Sequence, residues 1–178
     1  GTTSRSKGVA MKNYQVMNSV EAYAATLRLT QLDSSVIATP MYHVTGMICI
    51  LSVMLAVGGT VYLMKKVDAD RILTCFLENN ITFYHASPTV FTILLEKRSS
   101  YPLIPSVKSF ACGSGNMAPE NIRKLKEWMP QAEFHTVYGM TETSGAGTIF
   151  PGGAADSPWI GASGIPMPDL RIKIADDD

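Results

Sequence analysis

Hydrophobic positions along this chain switch repeatedly between helical and strand spacing, and the switches mark its elements. Val16, Val20, Tyr23, Ala24 and Leu27 share one helical face, which predicts a helix over residues 13–30 with Asn13 as its cap. Ser35-Val36-Ile37-Ala38 reads as a short strand closed by Thr39-Pro40. A helix from about Tyr42 to Val57 follows, then a turn at Gly58-Gly59 and a strand at 60–63. Asp68 caps a helix through Leu77 that stops at Asn79-Asn80. Ile81 to Tyr84 is the next strand, and Ser87-Pro88 starts a helix carrying Phe91, Leu94 and Leu95. After a strand at Val107–Ala111, Pro119 opens a helix with Ile122, Leu125, Trp128 and Met129 on its apolar face. Glu120, Arg123, Lys124 and Glu127 form the solvated face of that helix, with i,i+4 pairing. Phe134 to Tyr138 is a further strand.

Strands separated by helices of this length predict an α/β fold: right-handed βαβ units with a mainly parallel sheet covered by helices. The end of the chain differs. Residues 139–178 hold 7 of the 14 glycines and 4 of the 10 prolines, so a loop-rich tail is expected from residue 143. One strand-like stretch, Arg171-Ile172-Lys173-Ile174, lies within it.

Charge changes the picture in one place. Over 178 residues, Lys+Arg and Asp+Glu both count 15, which excludes a protein held on nucleic acid or anionic lipid by bulk charge. The 31 residues from Ser34 to Met64 contain no Asp, Glu, Lys or Arg. Gly46 to Met64 is long enough to span a bilayer, but Gly58-Gly59 divides it into a helix-like and a β-branched piece. A buried helix, a turn and a buried parallel strand have the same hydropathy, and the surrounding βα pattern favours that reading. No signal peptide is visible. Cys49, Cys75 and Cys112 are odd in number and lack CxxC spacing, so neither a disulfide framework nor a zinc site is expected, and a reducing, cytoplasmic setting fits.

Three short segments could carry chemistry. Gly1-Thr2-Thr3-Ser4-Arg5-Ser6-Lys7-Gly8 combines backbone freedom, hydroxyls and a mobile cation, which suits a polyphosphate cradle and equally a frayed polar terminus. It does not fit the GxxxxGK[ST] phosphate loop. Tyr138-Gly139-Met140-Thr141-Glu142-Thr143 follows a strand, where α/β sheets bind ligands. Its ring, glycine, hydroxyl and carboxylate could stack a base, admit a substrate, hold a phosphate oxygen and hold Mg²⁺. A capped turn explains the same residues. Gly113-Ser114-Gly115 also follows a strand, but Cys112 and Asn116 stand where a nucleophile elbow needs glycines. A backbone surface for a flat ligand or a tight turn remains. His43, His85 and His135 are too scattered for a local metal motif and read as hydrogen-bonded structural histidines.

Together these segments are more specific than any one alone. Gly1-Thr2-Thr3 with Lys7-Gly8 resembles the end of the phosphate loop (T)SGTTGxPKG of the adenylate-forming enzymes, with Ser4 and Ser6 replacing a glycine and a proline. Tyr138 to Glu142 matches that superfamily's YGxTE motif. Pro40 to Gly46 resembles the PxFHxxG segment of acyl- and aryl-CoA ligases, and Gly113 to Met117 a G(G/S)APL segment. Gly161 to Pro168 resembles a GSxGxPxPG stretch. All five fall in family order and span essentially the whole chain.

The resemblance implies a partial N-terminal adenylation domain over 1–178, with the phosphate loop at 1–8 and the YGxTE motif at 138–142. The ribose-binding aspartate and the small C-terminal domain with its catalytic lysine are then expected beyond this chain, which alone is expected to be inactive. The parent is expected to join a carboxylic acid to ATP and pass the acyl group to coenzyme A. By resemblance Thr2, Thr3, Ser4 and Lys7 would hold the outer phosphates, Thr141 the α-phosphate and Glu142 the Mg²⁺. Tyr138 would stack on adenine, with Gly113, Ser114, Gly115 and Gly139 lining the adenine and acyl slot. His43 would line or gate the acyl pocket.

An amino-acid-activating relative needs a buried acid near Tyr42–Gly46 to pair the substrate's ammonium, and residues 34–64 offer none. An uncharged acyl or aryl acid is therefore expected. Amino-acid-activating or luciferase-like members and an inactive nucleotide-binding scaffold are the alternatives.

Overall fold

The computed structural model describes residues 7–176. Seven strands form one sheet in the order β2-β1-β3-β4-β5-β6-β7. They are β1 Ser34–Ile37, β2 Thr60–Leu63, β3 Phe83–Ala86, β4 Ser109–Cys112, β5 Glu133–Met140, β6 Gly145–Ile149 and β7 Ile165–Pro166. The first five pair in parallel, whereas β5–β6 and β6–β7 pair antiparallel. The expected mainly parallel sheet is present, and the antiparallel end is an addition to it.

Five α-helices cover the sheet: α1 Asn13–Thr26, α2 Val53–Val57, α3 Ala69–Glu78, α4 Pro88–Glu96 and α5 Pro119–Trp128. Strand side chains alternate between the two faces, so each strand feeds two cores. Val36, Tyr84, Phe110 and Phe134 point to one core with α3, α4 and α5. Ile37, Phe83, Ala111 and Val137 point to the other, with α1, α2 and the helix preceding α2. Phe91 of α4 meets Tyr84, Phe110 and Phe134 edge-on, so one aromatic ring ties three strands to a helix.

Several boundaries move for identifiable reasons. The first helix ends at Thr26 and not at residue 30, because Arg28 takes a left-handed conformation and Leu29 N–H closes onto Ala24 O. Its cap is Lys12, whose N–H donates to Gln15 Oε1 at 2.8 Å, while Asn13 is already helical. Asp68 does cap α3, accepting from Arg71 N–H at 3.2 Å. The segment expected as one α-helix from Tyr42 to Val57 is a π-helix over Thr45–Ser52 followed by α2. The Ser52 hydroxyl donates to Met47 O, helping to satisfy a carbonyl in the widened turn. Hydropathy does not register this change of pitch.

The helical middle of the charge-free stretch contributes to the core. Ile48, Cys49, Ile50, Val53 and Met54 are buried, Gly58 turns the chain with φ +75°, and no helix among the described residues is long and apolar enough to cross a membrane. The strand expected to be buried at 60–63 is instead the half-exposed edge of the sheet. In the tail, Arg171–Ile174 pairs with nothing among the described residues and stays exposed. Cys49, Cys75 and Cys112 are free and buried.

The amino ends of the strands are held by Asp33. Its carboxylate, 5% exposed, accepts Thr30 N–H at 2.8 Å, the Thr30 hydroxyl at 3.0 Å, the Thr82 hydroxyl at 2.8 Å and Lys108 Nζ at 3.2 Å. Burial alone would raise its pKa, but these donors together hold it below the ordinary carboxylate range. This network precedes β1, β3 and β4 at once, and leaves their carboxyl ends to form the site.

Candidate active site

The carboxyl ends of β3, β4 and β5 open into a cleft of about 750 Å³. Such a position is where open α/β sheets bind ligands. His43, Thr45 and Cys49 form one wall from the π-helix and the turn before it. His85 arrives at the end of β3, Gly113 and Ser114 just after β4, and Val137, Gly139, Met140, Thr141 and Glu142 from the end of β5 and the turn after it. Lys7 and Val9 reach the same cleft from the start of the described chain.

Most of the site residues read from the sequence meet here. Lys7, His43, Gly113, Ser114, Gly139, Thr141 and Glu142 line one space, although the first and last are separated by most of the chain. Tyr138 and Gly115 stand beside it and not on its wall: Tyr138 is half-exposed on the strand face opposite Val137, and Gly115 packs near Pro88. Thr2, Thr3 and Ser4 lie outside the described residues.

The loop after β5 has a built shape. A bulge interrupts the β5–β6 register at Tyr138/Gly139, and a side chain at Gly139 would collide with the Gly145 backbone. Gly145 itself has φ +111°, and a Cβ there would come within 2.8 Å of Cys49 Sγ. The Thr143 hydroxyl accepts Met140 N–H at 3.0 Å and lies 2.8 Å from Gly145 O, to which it can donate. Thr141 and Glu142 ride on the resulting single turn of 3₁₀ helix and point their polar groups outward into solvent and cleft. On the facing side, His43 Nδ1 accepts Thr45 N–H at 3.2 Å, which leaves Nε2 to carry the proton.

Two features escaped sequence reasoning. Gly145-Ala146-Gly147-Thr148-Ile149 was expected as loop because it is small and glycine-rich, yet it is a fully buried strand against β5. His85 lies in the cleft wall, with its Nδ1 at 3.0 Å from the Tyr23 hydroxyl. The expectation of a hydrogen-bonded structural histidine is met at that nitrogen only, since its Nε2 has no partner among the described residues. Burial, reinforced by His43, pushes its pKa down to about 3, so the ring is neutral. His135, at the other end of the sheet, bonds to Phe150 O at 2.8 Å.

The donor set suits a nucleotide with a hard cation. Thr141 and Glu142 bring oxygen atoms, and Lys7 a positive charge, to the same cleft. Mg²⁺ is commonly held by one or two carboxylates together with substrate phosphates, so one carboxylate fits that need. No cluster of three or more His, Cys, Asp or Glu side chains exists among the described residues to hold a metal by protein atoms alone.

A mainly parallel α/β sheet with a hydroxyl, a carboxylate and a lysine at its carboxyl edge defines a nucleotide-binding enzyme domain. The family model described as AMP-binding enzyme matches residues 1–178, and the chain belongs to that family. It is 32% identical over 148 residues to an oxalate–CoA ligase of Arabidopsis thaliana, covering 81% of this chain and 29% of that protein. A 2-succinylbenzoate–CoA ligase of Enterococcus faecalis is 27% identical over 180 residues, covering 99% of this chain and 36% of the relative. Among solved structures, the O-succinylbenzoate coenzyme A synthetase of Bacillus subtilis, in complex with ATP and magnesium ion, superposes with a TM-score of 0.87. That match is 25% identical and covers 99% of this chain and 36% of the other. The chain thus spans about a third of the length of these relatives.

Proposed function

We propose that the protein carrying this chain is an AMP-forming acid–thiol ligase. A carboxylate oxygen of the acid attacks the α-phosphorus of ATP, the bond to the bridging oxygen breaks, and pyrophosphate leaves. The coenzyme A thiol, losing its proton, then attacks the acyl carbon of the adenylate and AMP departs. The observation that carries this reading is the meeting of Lys7, Thr141 and Glu142 in one cleft with His43 and Gly113. Membership of the AMP-binding family and likeness to CoA ligases support it.

In this reading Lys7, with Thr2, Thr3 and Ser4, neutralises the outer phosphates, and Thr141 holds the α-phosphate. Glu142 holds Mg²⁺, which when bound offsets phosphate charge. Tyr138 stacks on adenine, and Gly113, Ser114, Gly115 and Gly139 let the flat base and the acyl group approach the backbone. His43 lines the acyl end. Catalysis is then mainly positioning and charge stabilisation.

The acid has no ammonium group. Among the described residues, Glu142 is the only acid lining the cleft, and with that carboxylate given to Mg²⁺ none remains to pair a buried ammonium. The test is incubation of the full-length protein with ATP, Mg²⁺, coenzyme A and a panel of acids, read by mass spectrometry. Acyl-CoA and AMP in equal amounts are expected. ATP cleavage to ADP, or no product with any acid while a reference ligase works, contradicts the proposal.

A further inference from the structure

His85 is the one buried histidine whose second nitrogen is unaccounted for. The side chain is 2% exposed, and its Nε2 has no hydrogen-bond partner among the described residues. An unpartnered buried polar atom is costly, and such atoms concentrate where something is to be bound. The atom is not lost in the core: His85 lines the cleft, and its Nε2 lies 3.1 Å from the place a Cβ on Gly113 would occupy. A side chain at 113 would crowd this nitrogen, and glycine leaves that place in the cleft wall empty.

The tautomer follows from Tyr23. The Tyr23 hydroxyl is buried and lies 3.0 Å from His85 Nδ1, its one hydrogen-bond partner among the described residues. If the phenol donates to Nδ1, both of those atoms are satisfied. The reverse arrangement leaves a buried O–H proton without an acceptor. With Nδ1 as acceptor, the ring proton sits on Nε2. The cleft is thus presented with a fixed N–H donor whose orientation is set by a tyrosine from α1. His43 Nε2 supplies a second N–H on the same cleft, by the same logic through Thr45.

We propose that His85 is a specificity-determining residue for the acid: its Nε2–H donates to a hydrogen-bond acceptor on the acyl body, so the protein takes acids bearing a carbonyl, hydroxyl or second carboxylate oxygen in preference to plain hydrocarbon acids. Tyr23 is a positioning residue, acting through the His85 tautomer. A hydrocarbon acid would cover the donor without satisfying it, and a site built to hydrogen-bond its substrate rejects an analogue that lacks the group. The inference rests on the ligase reading above and deepens it by naming the substrate class.

The test uses the full-length protein and pairs of acids of equal shape. Levulinate is compared with isocaproate, and para-hydroxyphenylpropionate with para-methylphenylpropionate, as substrates for acid-dependent pyrophosphate exchange. For at least one pair, kcat/KM is expected to favour the oxygen-bearing acid by about tenfold or more, the scale of one neutral hydrogen bond. His85→Leu is expected to bring that ratio within about twofold, and His85→Gln, which keeps a donor, to retain part of it. Tyr23→Phe, which leaves the ring but frees its tautomer, is expected to lower the ratio as well. A role confined to packing would slow both members of a pair alike and leave the ratio unmoved, so an unchanged ratio in His85→Leu and Tyr23→Phe overturns the proposal. Absence of any preference in the wild type also overturns it. Absence of exchange with every acid overturns the ligase reading itself, and is recognised because no ratio exists to compare.

Discussion

Gly139 and Gly145 lie so close across the β5–β6 bulge that a side chain on Gly139 would overlap the Gly145 carbonyl. The pairing ends one step further on, at Met140 and Gly145, and the turn between them carries Thr141 and Glu142 on the cleft wall. Gly139→Ala is expected to push the two backbones apart, to destabilise the fold by about 1–3 kcal/mol, and to abolish acid-dependent exchange. Gly153→Ala is the control, since that glycine has φ +64° but open space around it, and should cost about 1 kcal/mol with activity retained. Urea midpoints and exchange rates of the two variants decide the matter; equal effects on both would contradict the role given to the bulge.

Thr143 ties the same turn from within, between Met140 N–H and Gly145 O. Thr143→Val keeps the shape and removes both bonds. It should reduce kcat more than tenfold with a modest loss of stability, about 1 kcal/mol, and Thr143→Ser should restore most of the rate. A change confined to the melting temperature would mean that the turn does not position Thr141 and Glu142.

At the opposite end of the sheet, Asp33 and Lys108 are bonded but unequal partners. Asp33 is almost wholly buried, whereas the Lys108 side chain is 65% exposed. Asp33→Ala strands the donors of Thr30 and Thr82 and should cost about 2–4 kcal/mol in urea unfolding. Lys108→Ala should cost about 1 kcal/mol or less, because water screens that pair. Similar losses from both would show that the ion pair, and not the hydrogen-bonded carboxylate, holds the strand ends.

His85 makes stability depend on pH in a defined window. Its folded pKa is pushed down to about 3 by burial and then by His43, whereas an unfolded histidine titrates near 6.5. Between those values the unfolded chain binds the extra proton, so stability is full above about pH 6.5 and is lost as pH falls toward 3. The contribution of one such group is about 1.4 kcal/mol per pH unit within the window. His135, also depressed chiefly by burial, adds in the same direction. His85→Leu should therefore show a shallower decline in unfolding free energy between pH 6 and 4 than the wild type, and an identical slope would contradict a buried neutral ring.

The parts of this fold that were legible in sequence are those where one residue type forces one geometry. Pro88 and Pro119 stand at the first turns of α4 and α5, and Asp68 caps α3, because these residues act through their own backbone or carboxylate. Gly58 separates helix from strand for the same reason. What was hidden depends on partners distant in the chain. β6 is built of small residues whose strand character comes only from pairing with β5, and the π-helix preserves the apolar pattern of an α-helix. At the site, Thr141, Glu142, Lys7 and His43 were readable as motifs, whereas His85 was not. Its chemistry is created by Tyr23 of α1 and by the missing side chain of Gly113, neither of which neighbours it in sequence.

The central claim is that this cleft activates a carboxylate with ATP, and the reverse half-reaction tests it without coenzyme A. The full-length protein is incubated with ATP, Mg²⁺, an acid and labelled pyrophosphate, and label entering ATP is measured for the wild type and for Glu142→Ala. The account predicts exchange that requires both acid and Mg²⁺, and a loss of at least about a hundredfold in the variant. Exchange undiminished by Glu142→Ala would remove the metal-binding role given to this carboxylate, and no exchange with any acid would contradict the claim itself.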